Sequence, residues 1–236
     1  IYFSSKVERQ ELSLKGNTST YGQVFEQFTQ IKENPLIRNF IFYAFIWTCL
    51  STALWFFQLE IINNFTNDSA VKTQIFGRAD SMVPIITLAT QLLLTSYFLR
   101  SKYLGIRFVL TMYGVLFTVA FFAVSGYFSE YLLSASGITL FLILQGTMRP
   151  FEYGLNKPAR EAVFTTLSTK EKYKSTVFID TFTNRFGDAT GGLLFNSLLS
   201  FGLLLYAAPL AIIPLAIFLI NLGWSISKDI DPVNSK

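Results

Sequence analysis

The sequence predicts an all-α, polytopic membrane protein, and three observations carry that prediction. Of its 236 residues, 51% are hydrophobic and 14% charged, where soluble domains run nearer about a quarter charged. Phenylalanine alone contributes 25 residues, more apolar surface than a soluble fold of this length buries, so hydrocarbon is the expected solvent for much of the chain. The apolar residues also gather in runs close to the ~20 residues that a bilayer core requires.

Taken in order, residues 1–21 are polar and without period, and Val24, Phe25, Phe28 and Ile31 then recur at helical spacing until Pro35. Residues 1–35 therefore read as a cytoplasmic linker holding a short amphipathic helix. The chain opens on Ile1 with no signal peptide ahead of this polar segment, so it is expected to begin partway through something larger. Four apolar runs follow, at about 39–59, 81–99, 108–127 and 131–148, with a mixed loop over 60–80 between the first two. The chain turns polar from Arg149 to about Tyr173, and becomes apolar again up to about Leu222. That last stretch is long for one helix, so it is divided into spans at 177–205 and 210–225, with Ala207, Ala208 and Pro209 as the turn. The expected organisation is a six-helix transmembrane bundle over 36–226 and a cytoplasmic tail at 227–236.

Basic residues set the orientation, because Lys and Arg in short loops mark the cytoplasmic side. With the linker inside, sixteen of the 19 Lys and Arg fall in inside segments, only Lys72 and Arg78 fall outside, and Arg185 lies in a span. Both termini are then cytoplasmic in a multi-pass protein of, by expectation, a bacterial inner membrane. The pI near 9.1 follows from this topology, and hydropathy excludes a soluble nucleic-acid binder.

Catalytic and metal chemistry is poorly supplied. There is one cysteine, Cys49, inside an apolar run, and no histidine. A disulfide within the chain is impossible, a zinc site is not expected, and the commonest general base is missing. No cofactor and no enzyme active site are expected.

The charged residues in and beside the spans are the candidates for function. Arg149-Pro150 ends an apolar run with a charge and a breaker, and Glu152, Lys157, Arg160 and Glu161 follow. They form either an ordinary cytoplasmic loop or a helix that carries cations past the bilayer toward an anionic solute. Asp180, Asn184 and Asp188 are spaced four apart and share a helical face. Arg185 precedes Asp188 by three and could pair with it, so charge reversal at either is expected to impair function. Gly187 and Gly191, with Gly192 adjacent, permit close helix approach. Glu60 closes the first span as an interfacial end or a gate, and Asp80, following Arg78, reads as an N-cap.

At Lys157-Pro158-Ala159-Arg160-Glu161, Phe164-Thr165, Glu171-Lys172-Tyr173-Lys174, Ile179-Asp180, Arg185, Gly187-Asp188 and Gly191, the sequence resembles the ATP/ADP translocase family of nucleotide exchange transporters, and more closely its bacterial major-facilitator-like members. A second match runs from Phe76-Gly77-Arg78-Ala79-Asp80 to Thr87 and Gln91. The resemblance implies the second six-helix bundle of a twelve-helix transporter, with an N-terminal six-helix half as its missing partner. It implies a small anionic solute, nucleotide first, handled by Glu60, Arg149, Glu152, Lys157, Arg160, Glu161, Asp180, Asn184, Arg185 and Asp188. Where well-known members carry a Lys-Ser-Gly-Gly stretch, this chain has Asp188-Ala189-Thr190-Gly191-Gly192. Two other readings stay open: a proton-coupled facilitator for another metabolite or drug, with Asp180 or Asp188 titrating, and a non-transporting membrane module that binds a partner through residues 149–174.

Overall fold

The computed structural model describes residues 34–95, 97–98, 102–129 and 137–230, and all regular structure in them is helical. The amphipathic segment at Val24–Ile31, Arg100 and Ser101, the start of the fourth predicted span at 131–136 and the tail beyond Ile230 lie outside the described residues.

The first helix, α1 (Pro35–Phe65), starts where the sequence suggested a break. Asn34 is its N-cap, with Oδ1 accepting from the Leu36 amide at 3.0 Å, and Pro35 occupies the first turn, where its missing N–H is not needed. Its 31 residues extend about 46 Å, more than the ~30 Å of a hydrocarbon core. α2 (Ser69–Thr90) is capped by Asp68 and runs on through a π-helical turn at Gln91–Thr95. α3 (Lys102–Phe128) is unbroken. α4 (Gly137–Phe151), a π-helical turn (Glu152–Asn156) and α5 (Lys157–Phe164) form one continuous rod. So do α6 (Thr169–Phe178), a third π-helical turn (Ile179–Thr183) and α7 (Asn184–Ser200), and α8 (Ala207–Ile230) closes the order. The eight helices of the described residues thus join into six rods.

Three of these helices are long and apolar enough to cross a membrane: α1, residues 105–128 of α3, and α8. That is the constitution of a membrane protein. The other three rods carry the polar residues that the resemblance singled out, except Glu60, which lies on α1.

With α1 as a ruler, the rods alternate in direction. α3 rises beside it, from the Tyr43 hydroxyl donating to the Leu110 carbonyl (3.0 Å) through Trp47 against Tyr113 to Phe57 against Phe121. α8 descends, its Gly223 against the Leu110 backbone and Asp229 accepting from Asn39 Nδ2 at 3.0 Å. The α4–α5 rod also descends: a Cβ on Gly137 would meet Ile61, Gln145 bonds Gln58, and the Phe164 ring lies 4.9 Å from that of Phe40. α7 rises again, with Gly187 on Thr48, Gly191 on Cys49 and Thr52, and Phe195 between Phe56 and Phe57. α1 is buried by this surround, with Leu50, Ala53, Phe57 and Ile61 each at 0% exposure. The opposite extreme is α2, which leaves Ile85, Leu88, Leu92 and Leu93 open on the outside of the bundle.

Four sequence expectations are corrected by this register. The mixed loop over 60–80 shrinks to Thr66–Asp68, because both flanking helices absorb its polar residues on exposed faces. Asp80 therefore lies inside α2 and is not an N-cap; Asp68 takes that role. Arg149-Pro150 does not end its helix. Pro150 is carried inside it, and the π-helical turn beyond relaxes the hydrogen-bond ladder. Carbonyls in that turn are taken from outside: Gln91 Nε2 donates to the Tyr153 carbonyl (3.3 Å), and Thr95 Oγ1 donates to that of Gly154. The segment read as either a cytoplasmic loop or a continuing helix is helical, and it runs beside α1 from the middle of its predicted span to Phe40. Finally, Ala207–Pro209 form the first turn of α8, and the reversal is made by Phe201–Tyr206, where Gly202 adopts φ +81°.

The turn between the fourth and fifth rods is closed by a capping box. Ser168 Oγ accepts from the Glu171 amide, while the Glu171 carboxylate accepts from the Ser168 amide (3.1 Å) and hydroxyl (2.6 Å). These hydrogen bonds hold the Glu171 carboxyl below its usual pKa. A depressed folded-state pKa adds stability that is present above the unfolded value and is lost as pH falls through the folded one. Ser168→Ala should destabilise the start of α6 by about 1 kcal/mol. The check is faster hydrogen exchange at Lys170–Lys172, with the difference between variant and wild type shrinking in acid.

Candidate functional site

α1 bears a polar stripe on its otherwise apolar surface: Thr48, Ser51, Thr52, Trp55 and Gln58. At steps of three and four these residues fall on one side of a helix. The α4–α5 and α6–α7 rods pack against that side and bring their charged residues to it.

Two adjoining cavities result. The larger, about 240 Å³, is bounded by Phe40, Tyr43, Ala44 and Trp47 of α1, Glu152, Asn156, Lys157 and Arg160 of the fourth rod, and Ile179, Asp180 and Asn184 of the fifth. The smaller, about 230 Å³, is bounded by Ser51, Thr52, Leu54, Trp55 and Gln58 of α1, with Gln145, Met148, Arg149 and Glu152. Glu152 borders both. It stands across from the Trp47–Ser51 stretch, at the middle of α1.

Two π-helical turns build this arrangement. One carries Glu152 and Asn156, the other Asp180. A π turn inserts an extra residue into the helical repeat and shifts the side chains after it to a new face. Gly154 lets the first of these turns come close to α2, since a Cβ there would stand 2.6 Å from the Thr90 methyl.

The charges are arranged in pairs between rods. Arg160 Nη1 donates to Asp180 Oδ1 at 2.8 Å, with the Arg160 side chain only 18% exposed. Arg149 Nη1 donates to Asp80 Oδ1 at 2.6 Å and ties the fourth rod to α2. Glu161 takes Lys172 at 3.0 Å and Arg160 at 3.8 Å. The Lys157 ammonium sits 4.2 Å over the Tyr153 ring.

Along the α1–α7 seam, Thr52 Oγ1 donates to Asp188 Oδ1 at 2.8 Å, and Thr48 Oγ1 divides its proton between the Ala44 carbonyl (2.9 Å) and Asn184 Oδ1 (3.2 Å). Deeper in, buried Gln145 Nε2 donates to buried Gln58 Oε1 at 2.7 Å.

Several polar atoms remain for a solute to satisfy. Trp47 Nε1, Asn156 Oδ1 and Arg160 Nε are buried and unpartnered at the larger cavity, as is Gln145 Oε1 at the smaller. Buried polar groups normally find a partner. Two cavities edged with donors, an amide acceptor each and both signs of charge suit a small polar solute with ionised groups.

No family model, no curated protein and no solved structure matches this chain.

Arg149, Glu152, Lys157, Arg160, Asp180 and Asn184 thus meet around the cavities. Glu161 lies one ion pair outward, and Asp188 is on the neighbouring seam. Arg185 stands apart: its guanidinium is 4.0 Å from Asp188, with 82% of the side chain exposed. Glu60 sits further up α1 and borders neither cavity. Gly187 and Gly191 make the close contact expected of them, whereas Gly192 meets only the Phe56 ring at 3.3 Å. Residue-by-residue reading missed Tyr43, Trp47, Asn156 and the Gln58–Gln145 pair. The threonines and Gln58 of α1 had a legible signal, polar residues repeating every three or four positions in an apolar run. Trp47 and Tyr43 had none, because an aromatic in such a run normally faces lipid or core.

Proposed function

We propose that this chain is one six-helix bundle of a secondary transporter that moves an organic anion by alternating access, with nucleotide exchange as the first class to test. The observation that carries the reading is the charged cluster of Arg149, Glu152, Lys157, Arg160 and Asp180 around two cavities at the mid-depth of α1. Ionised groups at that depth are expensive in hydrocarbon and accompany solute or ion pathways. In this reading the six rods are six spans, and the polar rods are the ones that line the path.

The same physics supports a second bundle as partner. Arg185, at the level of Phe45 and Thr48 on α1, is 82% exposed, and Asp80 and Arg149 are 65% and 45% exposed. Charges presented outward at this depth need protein or water over them rather than lipid. An N-terminal six-helix half would supply the other wall, and rocking of the halves would expose the site to each side in turn.

The test is uptake of labelled ATP and ADP into proteoliposomes holding the complete protein, with and without internal nucleotide. Uptake that depends on internal nucleotide supports exchange. Uptake of another anion alone keeps the transporter and removes nucleotide. A protein that neither binds nor moves any solute selects the partner-binding module instead.

A further inference from the structure

The anion reading leaves a charge imbalance, and its resolution points to one residue. Around the two cavities stand three cations, Arg149, Lys157 and Arg160, and three acids, Asp80, Glu152 and Asp180. The empty site is therefore neutral as a whole. An added anion would be an uncompensated charge at the mid-depth of the bundle, which a low-dielectric interior strongly disfavours. One acid has to give up its charge when the anion arrives.

Two of the three are poorly suited. Asp80 and Asp180 each accept an arginine hydrogen bond, at 2.6 and 2.8 Å, and neutralising either would strand its arginine. The Glu152 carboxylate has neither a hydrogen bond nor an ion pair among the described residues, although it faces more charge than either. From its own rod it is met by Arg149, Lys157 and Arg160, and from the fifth rod by Asp180. From α1 it is met by Tyr43 and Trp47, and from α3 by Tyr113, which lies close enough to interact with its charge. It alone touches both cavities, so any solute in either one is its neighbour.

We propose that Glu152 is the proton-binding group of this site and couples movement of the anion to movement of a proton. Burial favours the acid form of Glu152 and the three cations beside it favour the carboxylate, so its charge depends on whether those cations are free to face it. A bound anion engages those cations and adds a like charge beside Glu152, so the carboxylate takes a proton from bulk water and becomes a carboxylic acid. When the anion leaves, the proton leaves with it. No bond to the solute forms or breaks. The inference rests on the anion-transport reading, and it moves the titrating role from Asp180 or Asp188 to a residue without a partner.

Linkage makes the effect measurable and reciprocal. The complete protein, reconstituted, is titrated with ATP, ADP and inorganic phosphate across a pH series, with proton uptake followed by an indicator dye in weak buffer. Wild type should bind its anion more tightly as pH falls, by up to about tenfold per pH unit, and should consume protons on binding. Glu152→Gln should bind with no proton uptake and a flat pH profile, while Glu152→Asp should keep the uptake with a shifted midpoint. A Glu152→Gln protein that retains the wild-type slope overturns the proposal. So does a wild type whose binding is independent of pH, which would indicate a solute carrying its own cation.

If no probe binds wild type at any pH, the anion reading fails, and Glu152 is then judged in the solute-free protein by tryptophan emission, since Trp47 and Trp55 line the cavities it borders. An acid transition that disappears in Glu152→Gln leaves Glu152 a proton site. One that persists unchanged removes it.

Discussion

Gly191→Leu is expected to push α7 away from α1 and to lower thermal stability by about 3 kcal/mol or more, roughly 5 °C or more in Tm. The cause is geometric. A Cβ at Gly191 would collide with the Cys49 carbonyl and stand 2.9 Å from Thr52 Cβ, and one at Gly187 would stand 2.8 Å from Thr48 Cβ. The obstacles are backbone and the branched stems of threonines, which cannot swing aside as the end of a long side chain can. Separating the helices would also break the Thr52–Asp188 hydrogen bond and open the wall of the larger cavity. The control is Gly77→Ala on α2, where nothing lies within 4 Å of an added Cβ. That change should be neutral or stabilising by up to about 1 kcal/mol, because alanine is the better helix former. Detergent-solubilised thermal unfolding of both variants decides the matter. Equal behaviour of Gly191→Leu and wild type would mean that α1 and α7 do not pack through this seam.

The second large effect is expected at Arg160 and Asp180. Reversing one charge, as in R160D, places a third acid beside Asp180 and Glu152 and removes one of the two cations, with Lys172, that tie the fourth and fifth rods together. Breaking a fully buried pair typically destabilises by about 3–5 kcal/mol. Here Arg160 is 18% exposed and Asp180 47%, so solvent screening reduces the expected figure to about 1–2 kcal/mol. Uptake by the complete protein should fall by at least about tenfold, the equivalent of 1.4 kcal/mol in binding. The exchange R160D/D180R should recover part of both losses, since the 2.8 Å contact can be remade in the opposite sense. Recovery of stability without recovery of uptake would give Arg160 a direct role at the solute. No loss in R160D would remove the pair from the mechanism. By contrast, R185D should change the stability of this bundle by less than about 0.5 kcal/mol, because its pair with Asp188 is long and solvent-exposed. Thr52, rather than Arg185, gives Asp188 its close partner.

These expectations show how unevenly the molecule could be read from its residues. The glycine seam was legible, because only a backbone without side chains tolerates such an approach, and two glycines four apart put that gap on one helical face. The apolar helices were legible as well, since length and hydropathy act locally. The Arg149–Phe164 segment was not. An arginine, a proline and a run of charges read as the end of a span, and in isolation they would end one. Here Gln91 and Thr95 of another rod donate to the carbonyls of its π-helical turn, and Asp80 and Asp180 neutralise its arginines. Those partners lie between 20 and 69 residues away in sequence, where no local pattern records them. Asp80 was misread for the same reason: an acid after an arginine looks like a cap until Arg149 appears across the bundle.

What the sequence determined by itself is the solvent and the secondary structure: helices, apolar enough in α1, α3 and α8 to cross a membrane, with small residues where two of them must touch. These follow from how much of each residue water would have to wet and from how backbone and side chain fit within a single turn. What only the tertiary structure decided is which charges share a space. Glu152 became the junction of two cavities, Arg160 found Asp180, and Arg185 was left outside, because pairing between rods depends on register and on the extra residue in each π-helical turn. A one-residue change in that register rotates a side chain by about 100°, and the linear order of the chain does not fix it.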